Sequence, residues 1–465
     1  MTGKVSTILI LGARGDLASR LLLPAVGQLL MTEPGRTLHL IGSGSGEWTD
    51  DTWRQRVKES FDSASVTGEA AASVLKSTTY LSGDVTAPKD LQKLIDACEG
   101  APAIYFALPP AVVVQACAAL ERVRLPAGTV FALEKPFGTD EASAHALNQQ
   151  ILRLVPEEQI YRVDHFLGRS TVFNLLGLRF ANGIFEPLWN SKYIEKVEIV
   201  YDEQLALEGR ARYYDKAGAL IDMIQSHLLQ VMSVLAMEPP ATLGAGDLRD
   251  AKGLVLRATH VFDDDPRASS RRARYTAGKV GERALPSYVD EAGVDPAMMT
   301  ETLAEVTLDI ANWRWAGVPF TLRSGKALAK RQREIIVTFK QVPHLPTGLT
   351  GLDTPTVLRI ALAPDEMSLE LNINGPGDPR VLKRVDLHAG FGPGHLLAYG
   401  EILSAILDGD PSLSVRGDTA EQCWRIVAPV LAAWGKEEVP LVDYAAGSQG
   451  PKEWNDTPLK GRNQF

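Results

Sequence analysis

The sequence predicts a doubly wound parallel α/β domain followed by an α+β domain whose strands are antiparallel. Three observations predict it. Short β-branched runs and stretches of helical spacing take turns through the first 160 residues, a glycine turn follows the first apolar run, and beyond it the strand-like segments alternate apolar with polar residues. At about 150 residues per domain, 465 residues make two or three domains with ample chain for a large core.

Ser6 to Leu11 reads S-T-I-L-I-L, a run suited to a strand buried on both faces. Gly12-Ala13-Arg14-Gly15 follows at once, and Asp16 to Leu30 carries apolar residues at helical spacing. The alternation continues through strands at Thr37 to Ile41, Thr79 to Leu81, Ala103 to Leu108 and Thr129 to Leu133, and helices at Thr52 to Phe61, Leu91 to Ala97 and Val112 to Val123. A helix over Glu141 to Leu154 and a strand over Gln159 to Val163 complete it, which places the boundary near Asp164 and divides the chain into 1–164 and 165–465. The second part opens with helices at Thr171 to Phe180 and Gly218 to Met237 around a strand at Val197 to Tyr201. Strands at Thr302 to Ile310, Glu334 to Phe339, Val357 to Leu362 and Ser368 to Asn374 read as half-covered and antiparallel. Helices at Ala398 to Leu407 and Thr419 to Lys436 are expected to cover that sheet, and Asp263 to Pro286 to form an exposed excursion.

The charge excludes some functions. With 48 Lys+Arg against 57 Asp+Glu, a net charge of -9 and no long basic block, the chain lacks the positive face that nucleic acid requires. Cys98, Cys117 and Cys423 are odd in number, far apart and without C-x-x-C spacing, so neither a disulfide framework nor a metal site is signalled and a cytoplasmic setting is expected. Apolar runs such as Ile8 to Leu11 and Leu21 to Leu23 are far short of a membrane span, and no membrane partner is expected.

Several motifs can carry chemistry. Gly12 and Gly15 at a strand-to-helix junction let backbone approach a pyrophosphate at a helix N-terminus, although G-x-x-G is also an ordinary tight turn. Gly42-Ser43-Gly44-Ser45 at the second strand's tip offers no carboxylate for a ribose hydroxyl, so strict NAD use is not signalled; Arg14 is open to two readings, a contact to a 2′-phosphate or a solvated surface cation. Tyr105 to Pro110 and Glu134-Lys135-Pro136-Phe137-Gly138 both end strands where ligands collect in open sheets; the first can wall a nicotinamide, the second can extend a lysine into the crevice or simply pair Glu134 with Lys135. Arg162 to Arg169 packs four ionisable side chains into eight positions at the domain boundary, where substrates often bind. His227 lies in a largely apolar helix and is a core residue unless a carboxylate orients it as a general base. Arg323-Ser324-Gly325-Lys326 and Arg331 can meet an anion or remain solvated.

Together these stretches resemble the glucose-6-phosphate dehydrogenase family. The resemblance rests on eight motifs in family order: G-A-R-G-D-L-A at Gly12, Y-F-A-L-P-P at Tyr105, E-K-P-F-G at Glu134, R-V-D-H-F-L-G-R at Arg162, N-L-L-G-L-R-F-A-N at Asn174, D-M-I-Q-S-H-L-L-Q at Asp222, W-A-G-V-P-F-T-L-R-S-G-K-A-L at Trp315 and V-R-G-D at Val415. It implies a Rossmann-like domain, then a β+α domain with a large, mostly antiparallel sheet through which dimers or tetramers assemble. It also implies a sugar phosphate as substrate and NADP as cofactor, with NAD possible. By the resemblance His227 is the general base, Asp164 its carboxylate partner and Lys135 a contact to sugar and cofactor. His165, Arg169, Lys326 and Arg331 fall on the substrate's phosphate side, Glu203 and Asp222 on its hydroxyls, while Gly12, Arg14, Gly15, Asp16, Leu17, Ser45, Tyr105, Pro109 and Lys135 fall on the cofactor.

The departures from the family pattern cluster on the substrate side. Phe166 and Arg169 stand in D-H-F-L-G-R where the family reads D-H-Y-L-G-K, which removes a hydroxyl and turns an ammonium into a guanidinium. Ser226 replaces an asparagine, Ile221 an arginine and Ala363 a frequent glutamine. On the cofactor side, Ser45 stands roughly where the family's arginine follows the second strand, and Arg14 where its turn has a small residue, as if the positive charge had moved from strand tip to turn.

Overall fold

The computed structural model describes residues 5–392, 394, 396–456 and 459. The chain forms two compact units. The first comprises Met1–Ser170 and is completed by Pro240–Gly253 and Gly394–Gln422; the second holds Thr171–Pro239, Leu254–Pro393 and Cys423–Phe465.

The first unit is a Rossmann-like parallel sheet of β1 (Thr7–Leu11), β2 (His39–Gly44), β3 (Thr79–Ser82), β4 (Ala103–Phe106), β5 (Val130–Glu134) and β6 (Ile160–Val163). Spatial order is 6-5-4-1-2-3, with a short antiparallel strand, Ser414–Val415, beside β6. Both faces are buried, and the period of two shows how: Ile8, Ile10, Ala103 and Tyr105 point into one core, Leu9, Leu11, Ile104 and Phe106 into the other. The helix Ala398–Asp408, expected on the antiparallel sheet, belongs here instead. Its stripe of Ile402, Leu403, Ile406 and Leu407 packs with the helix Leu23–Thr32 over the parallel sheet.

The second unit is built on a large, mostly antiparallel sheet with eleven strands among the described residues. Its central strand, β7 (Ile194–Asp202), pairs parallel with Phe320–Gly325 and antiparallel with Gln332–Phe339. The stretch read as an exposed excursion contains Ser270–Thr276, a mostly buried strand between Leu303–Ile310 and Leu441–Ala445. Its arginines made it look solvated, but Arg271 is held by Glu305 and Arg272 by the Val439 and Trp434 carbonyls. One helical run, Ala211–Ala236, is long and apolar enough to cross a membrane by length and composition, but 89% of its apolar window is buried in the protein.

Candidate active site

Between β1 and β4 the strand order reverses, and open sheets bind ligands at such a point. A cavity of about 780 Å3 opens there, lined by Gly12, Arg14 and Gly15 after β1, Gly44, Ser45 and Trp48 after β2, and Ala107, Leu108 and Pro109 after β4. Gly12 has φ +86°, and a Cβ on it would stand 2.3 Å from the Ala107 carbonyl oxygen, so glycine alone lets the two strand ends approach. The turn is set by the Gly12 and Ala13 N–H groups donating to Ser43 O and by Gly15 N–H donating to Gly12 O. Asp16 is exposed beyond the turn, and Leu17 packs toward the core. Of the Tyr105 to Pro110 segment, Ala107, Leu108 and Pro109 line the crevice, while Tyr105 is 1% exposed and donates its hydroxyl to Glu134 at 2.5 Å.

Glu134 ends β5 immediately before Lys135 and the cis peptide to Pro136. Burial pushes its carboxyl up to about 7, against the lowering effect of hydrogen bonds from Tyr105 and Tyr399 and of the Lys135 charge. β6 pairs with β5 so that Glu134 faces Val163, which puts Asp164 at the neighbouring strand end. Asp164 is 2% exposed and accepts the Phe166 N–H at 2.9 Å. His165 stacks on the Tyr399 ring, centroids 5.6 Å apart and planes within 11°. Arg169 lies over the buried Phe166 ring, its Cζ 4.4 Å from the centroid. The two departures in this motif therefore act as one: the ring that loses its hydroxyl supports the guanidinium that replaces an ammonium. Arg162 is structural, buried and bonded to Glu157 and Asn148.

In the second unit the helical run changes character around Asp222 and His227. Leu220–Leu228 is π-helical, whereas the sequence pattern reads as α. A π-helix closes its hydrogen bonds from i to i+5, so Asp222 and His227, five apart, stand one turn above the other. Both are buried, at 4% and 1% exposure, and Tyr213 hydrogen-bonds Asp222. The run is clamped at both ends. Upstream, Gly218 has φ +62°, and a Cβ there would overlap the Glu301 carboxylate, which accepts the Leu220 N–H at 2.9 Å. Downstream, the orphan carbonyls are met by Arg179 (to Leu235 O, 2.9 Å, and Met237 O, 2.8 Å), Trp189 (to Leu235 O, 2.9 Å) and Trp315 (to Ala236 O, 2.7 Å). Ser226 returns its hydroxyl to the Asp222 carbonyl.

Glu203 just past β7 brings two cations together: Lys326 Nζ lies 2.9 Å from one carboxylate oxygen and Arg333 Nη2 2.6 Å from the other. Lys326 sits 5.1 Å from the Tyr214 ring centroid, and Arg333 lies over Tyr201. Glu203 and Lys326 were legible in the sequence; Arg333 was not. Arg331 is exposed just before the strand and outside this cluster. Alternation along the strand was the signal available for Arg333, but Gln332 and Glu334 on either side made the segment read as solvated. Arg323 turns the other way, pairing with Asp202 at 2.9 Å and Glu305 at 3.6 Å.

Residues 9–174 match the family described as glucose-6-phosphate dehydrogenase, NAD binding domain, and residues 176–464 that family's C-terminal domain. Glucose-6-phosphate 1-dehydrogenases of Zymomonas mobilis and Rhizobium meliloti are 36% and 37% identical, covering 97% and 96% of this chain and 97% of each relative. A solved glucose-6-phosphate dehydrogenase in complex with its substrate glucose-6-phosphate superimposes with a TM-score of 0.87 at 27% identity, covering 100% of this chain and 99% of that one. The glucose-6-phosphate 1-dehydrogenase of Mycobacterium avium gives 0.86 at 32% identity, covering 100% and 98%. With its nicotinamide-nucleotide domain and its large antiparallel sheet both matched along the whole length, this chain belongs to the glucose-6-phosphate dehydrogenase family.

Proposed function

We propose that the protein oxidises glucose 6-phosphate at C1 to 6-phosphogluconolactone with NADP⁺ as the hydride acceptor, the first oxidative step of the pentose phosphate pathway. The observation that carries this reading is a family chain that retains Lys135, Asp164 and His227 and holds His227 on a helix fixed at both ends. A nicotinamide dinucleotide would be held in the β1–β4 crevice by Gly12, Arg14, Gly15 and Ser45, and there it would supply the acceptor for the C1 hydride. His227 takes the proton of the 1-hydroxyl, so the C1–O bond gains its second order as the C1–H pair leaves and no metal is required. Asp164 has the carboxylate role that fixes the imidazole and stabilises its protonated form. His165, Arg169 and Lys326 hold the phosphate, Glu203 and Asp222 the sugar hydroxyls, and Lys135 touches both ligands. The free thiols of Cys98, Cys117 and Cys423 suit a cytoplasmic setting. Assembly as a dimer or tetramer is part of the same reading.

The crevice fits a dinucleotide on its own evidence, since it includes a glycine cradle that a Cβ would fill. The 2′-phosphate preference rests on Arg14, which lines the crevice and forms no ion pair among the described residues. Arg14→Ala is expected to raise the Michaelis constant for NADP⁺ far more than for NAD⁺; equal effects on both would overturn the preference. Absorbance at the NAD(P)H band tests the reaction, with glucose 6-phosphate and NADP⁺ against NAD⁺ and unphosphorylated glucose. Turnover confined to other sugar phosphates would favour the second reading, a related dehydrogenase with a shifted substrate, which the Phe166 and Arg169 pair motivates.

A further inference from the structure

The tip of β2 carries a built aromatic and cationic cluster that the glycine turn does not explain. Gly42, Gly44 and Gly46 follow at intervals of two, so one side of the strand and its tip has no side chains. Other groups fill that space. A Cβ on Gly42 would lie 2.7 Å from the Trp53 ring, one on Gly44 2.9 Å from the Tyr80 hydroxyl, and one on Gly46 1.4 Å from Arg14 Nη1. The rings stack outward from the core: Trp53, fully buried and donating its indole N–H to Thr78, lies 6.1 Å from Tyr80, which lies 5.6 Å from Trp48. Tyr80 also donates its hydroxyl to the Gly46 carbonyl at 3.1 Å, fixing the loop under the outermost ring.

Two guanidinium groups meet that outermost ring. Arg14 Cζ is 5.1 Å and Arg56 Cζ 5.4 Å from the Trp48 centroid, and all three residues line the crevice. Neither guanidinium forms an ion pair among the described residues. Arg54, on the same helix (Asp50–Ser63), behaves oppositely: it pairs with Asp51 at 3.0 Å and Asp50 at 3.6 Å. Asp84 also lines the crevice, but its carboxylate already accepts the Thr86 N–H and hydroxyl. Two like charges held on one indole, neither paired with Glu47 in the tip loop nor with Asp84, repel each other unless an anion arrives. A dianionic phosphate is the natural complement, because planar guanidiniums bind it through paired charge-assisted hydrogen bonds.

We infer that Arg56 is a second specificity-determining residue for the cofactor, acting with Arg14 on the indole of Trp48 as a two-arginine clamp for the ribose 2′-phosphate. This rests on the NADP reading above and goes further, because it gives the turn arginine a partner on the same ring. Trp48 sets the guanidinium planes rather than touching the phosphate.

Calorimetric titration of the full chain with 2′,5′-ADP and with 5′-AMP tests it, since the two probes differ by the 2′-phosphate alone. Wild type is expected to bind 2′,5′-ADP more tightly. Arg56→Ala should weaken 2′,5′-ADP about tenfold and change AMP less than twofold, as loss of one charge-assisted contact implies. Arg56→Lys should recover part of the loss, since it keeps the charge but not the planar fork, and it serves as a second variant if the alanine form folds poorly. Trp48→Leu should weaken 2′,5′-ADP selectively in the same way. If Arg14→Ala loses affinity for 2′,5′-ADP while Arg56→Ala stays within twofold of wild type, the clamp is wrong and the NADP reading stands. If wild type does not distinguish the two probes, both fall.

Discussion

The crevice of the first unit and the charged cluster of the second handle charge in opposite ways. Around the β2 tip, Arg14 and Arg56 rest on an indole and form no ion pair among the described residues. Beside β7, Glu203 is clasped by Lys326 and Arg333, and next to it Asp202, Arg323, Glu305 and Arg271 form a continuous ion-pair chain. An exposed cation can wait for its counter-ion because water screens it, whereas a buried one must be matched within the fold. The first region thus depends on its ligand for charge balance. The second is balanced internally except for one surplus positive charge at Glu203, Lys326 and Arg333.

The largest expected effect breaks the chemistry and leaves both regions standing. His227→Asn should lower turnover by about 10²- to 10⁴-fold, the usual contribution of a general base, while NADP⁺ affinity measured by titration stays unchanged. Undiminished turnover would remove His227 from its role. The next tests the internally balanced region directly. Glu203→Ala leaves Lys326 and Arg333 facing each other, both only slightly exposed, and should cost about 3 kcal/mol in urea unfolding. Arg14→Ala, which removes an exposed cation, should leave stability within about 0.5 kcal/mol. Equal losses in the two variants would mean that the contrast between the regions is not energetic.

The same contrast explains what was legible in the sequence. The parallel sheet was, because each strand is a short apolar run and the glycine turn marks where the first one ends. The helix Ala398–Asp408 was assigned to the wrong sheet, since its apolar stripe shows that it is covered but not by what. Ser270–Thr276 was missed because buried arginines look like solvated ones until their partners are known. Asp222 and His227 were found by motif, while the π-helical winding that aligns them has no pattern of its own in the sequence. Trp48 and Arg56 passed unnoticed for a related reason: only folding the helix Asp50–Ser63 back against the strand tip brings them beside Arg14. Of the three residues proposed to bind the 2′-phosphate, Arg14 lies in the first of the eight motifs, while Trp48 and Arg56 lie outside all of them.

Burial pushes a carboxyl up to about 7 in each unit, Glu134 in the first and Glu301 in the second. In the folded protein Glu301 therefore keeps its proton between about pH 4.5 and 7, where the unfolded chain has lost it. Folding binds the extra proton, so this group's contribution to stability falls as pH rises through that window and levels off above it. Glu301→Gln keeps an acceptor for the Leu220 N–H and should abolish its share of the decline, up to about 3 kcal/mol on the ordinary conversion. Chemical denaturation at pH 5 and pH 8 measures it. Glu134→Gln should remove a similar share from the first unit, and a wild-type stability that rises over this window would contradict both assignments.

The smallest effect concerns Phe166 and Arg169, which depart from the family within one motif. Arg169 lies 4.4 Å over the Phe166 ring, so the ring's value depends on the guanidinium and the guanidinium's position on the ring. A double-mutant cycle between Phe166→Leu and Arg169→Lys, read in the Michaelis constant for glucose 6-phosphate, should give a coupling of about 0.5 to 1 kcal/mol, the range for a partly exposed cation–π contact. Phe166→Tyr with Arg169→Lys restores the family pair and should bind the sugar phosphate better than Arg169→Lys alone, because the hydroxyl then supplies the hydrogen bond that the shorter-reaching ammonium gives up. Additive effects would mean that the guanidinium gains nothing from the ring beneath it.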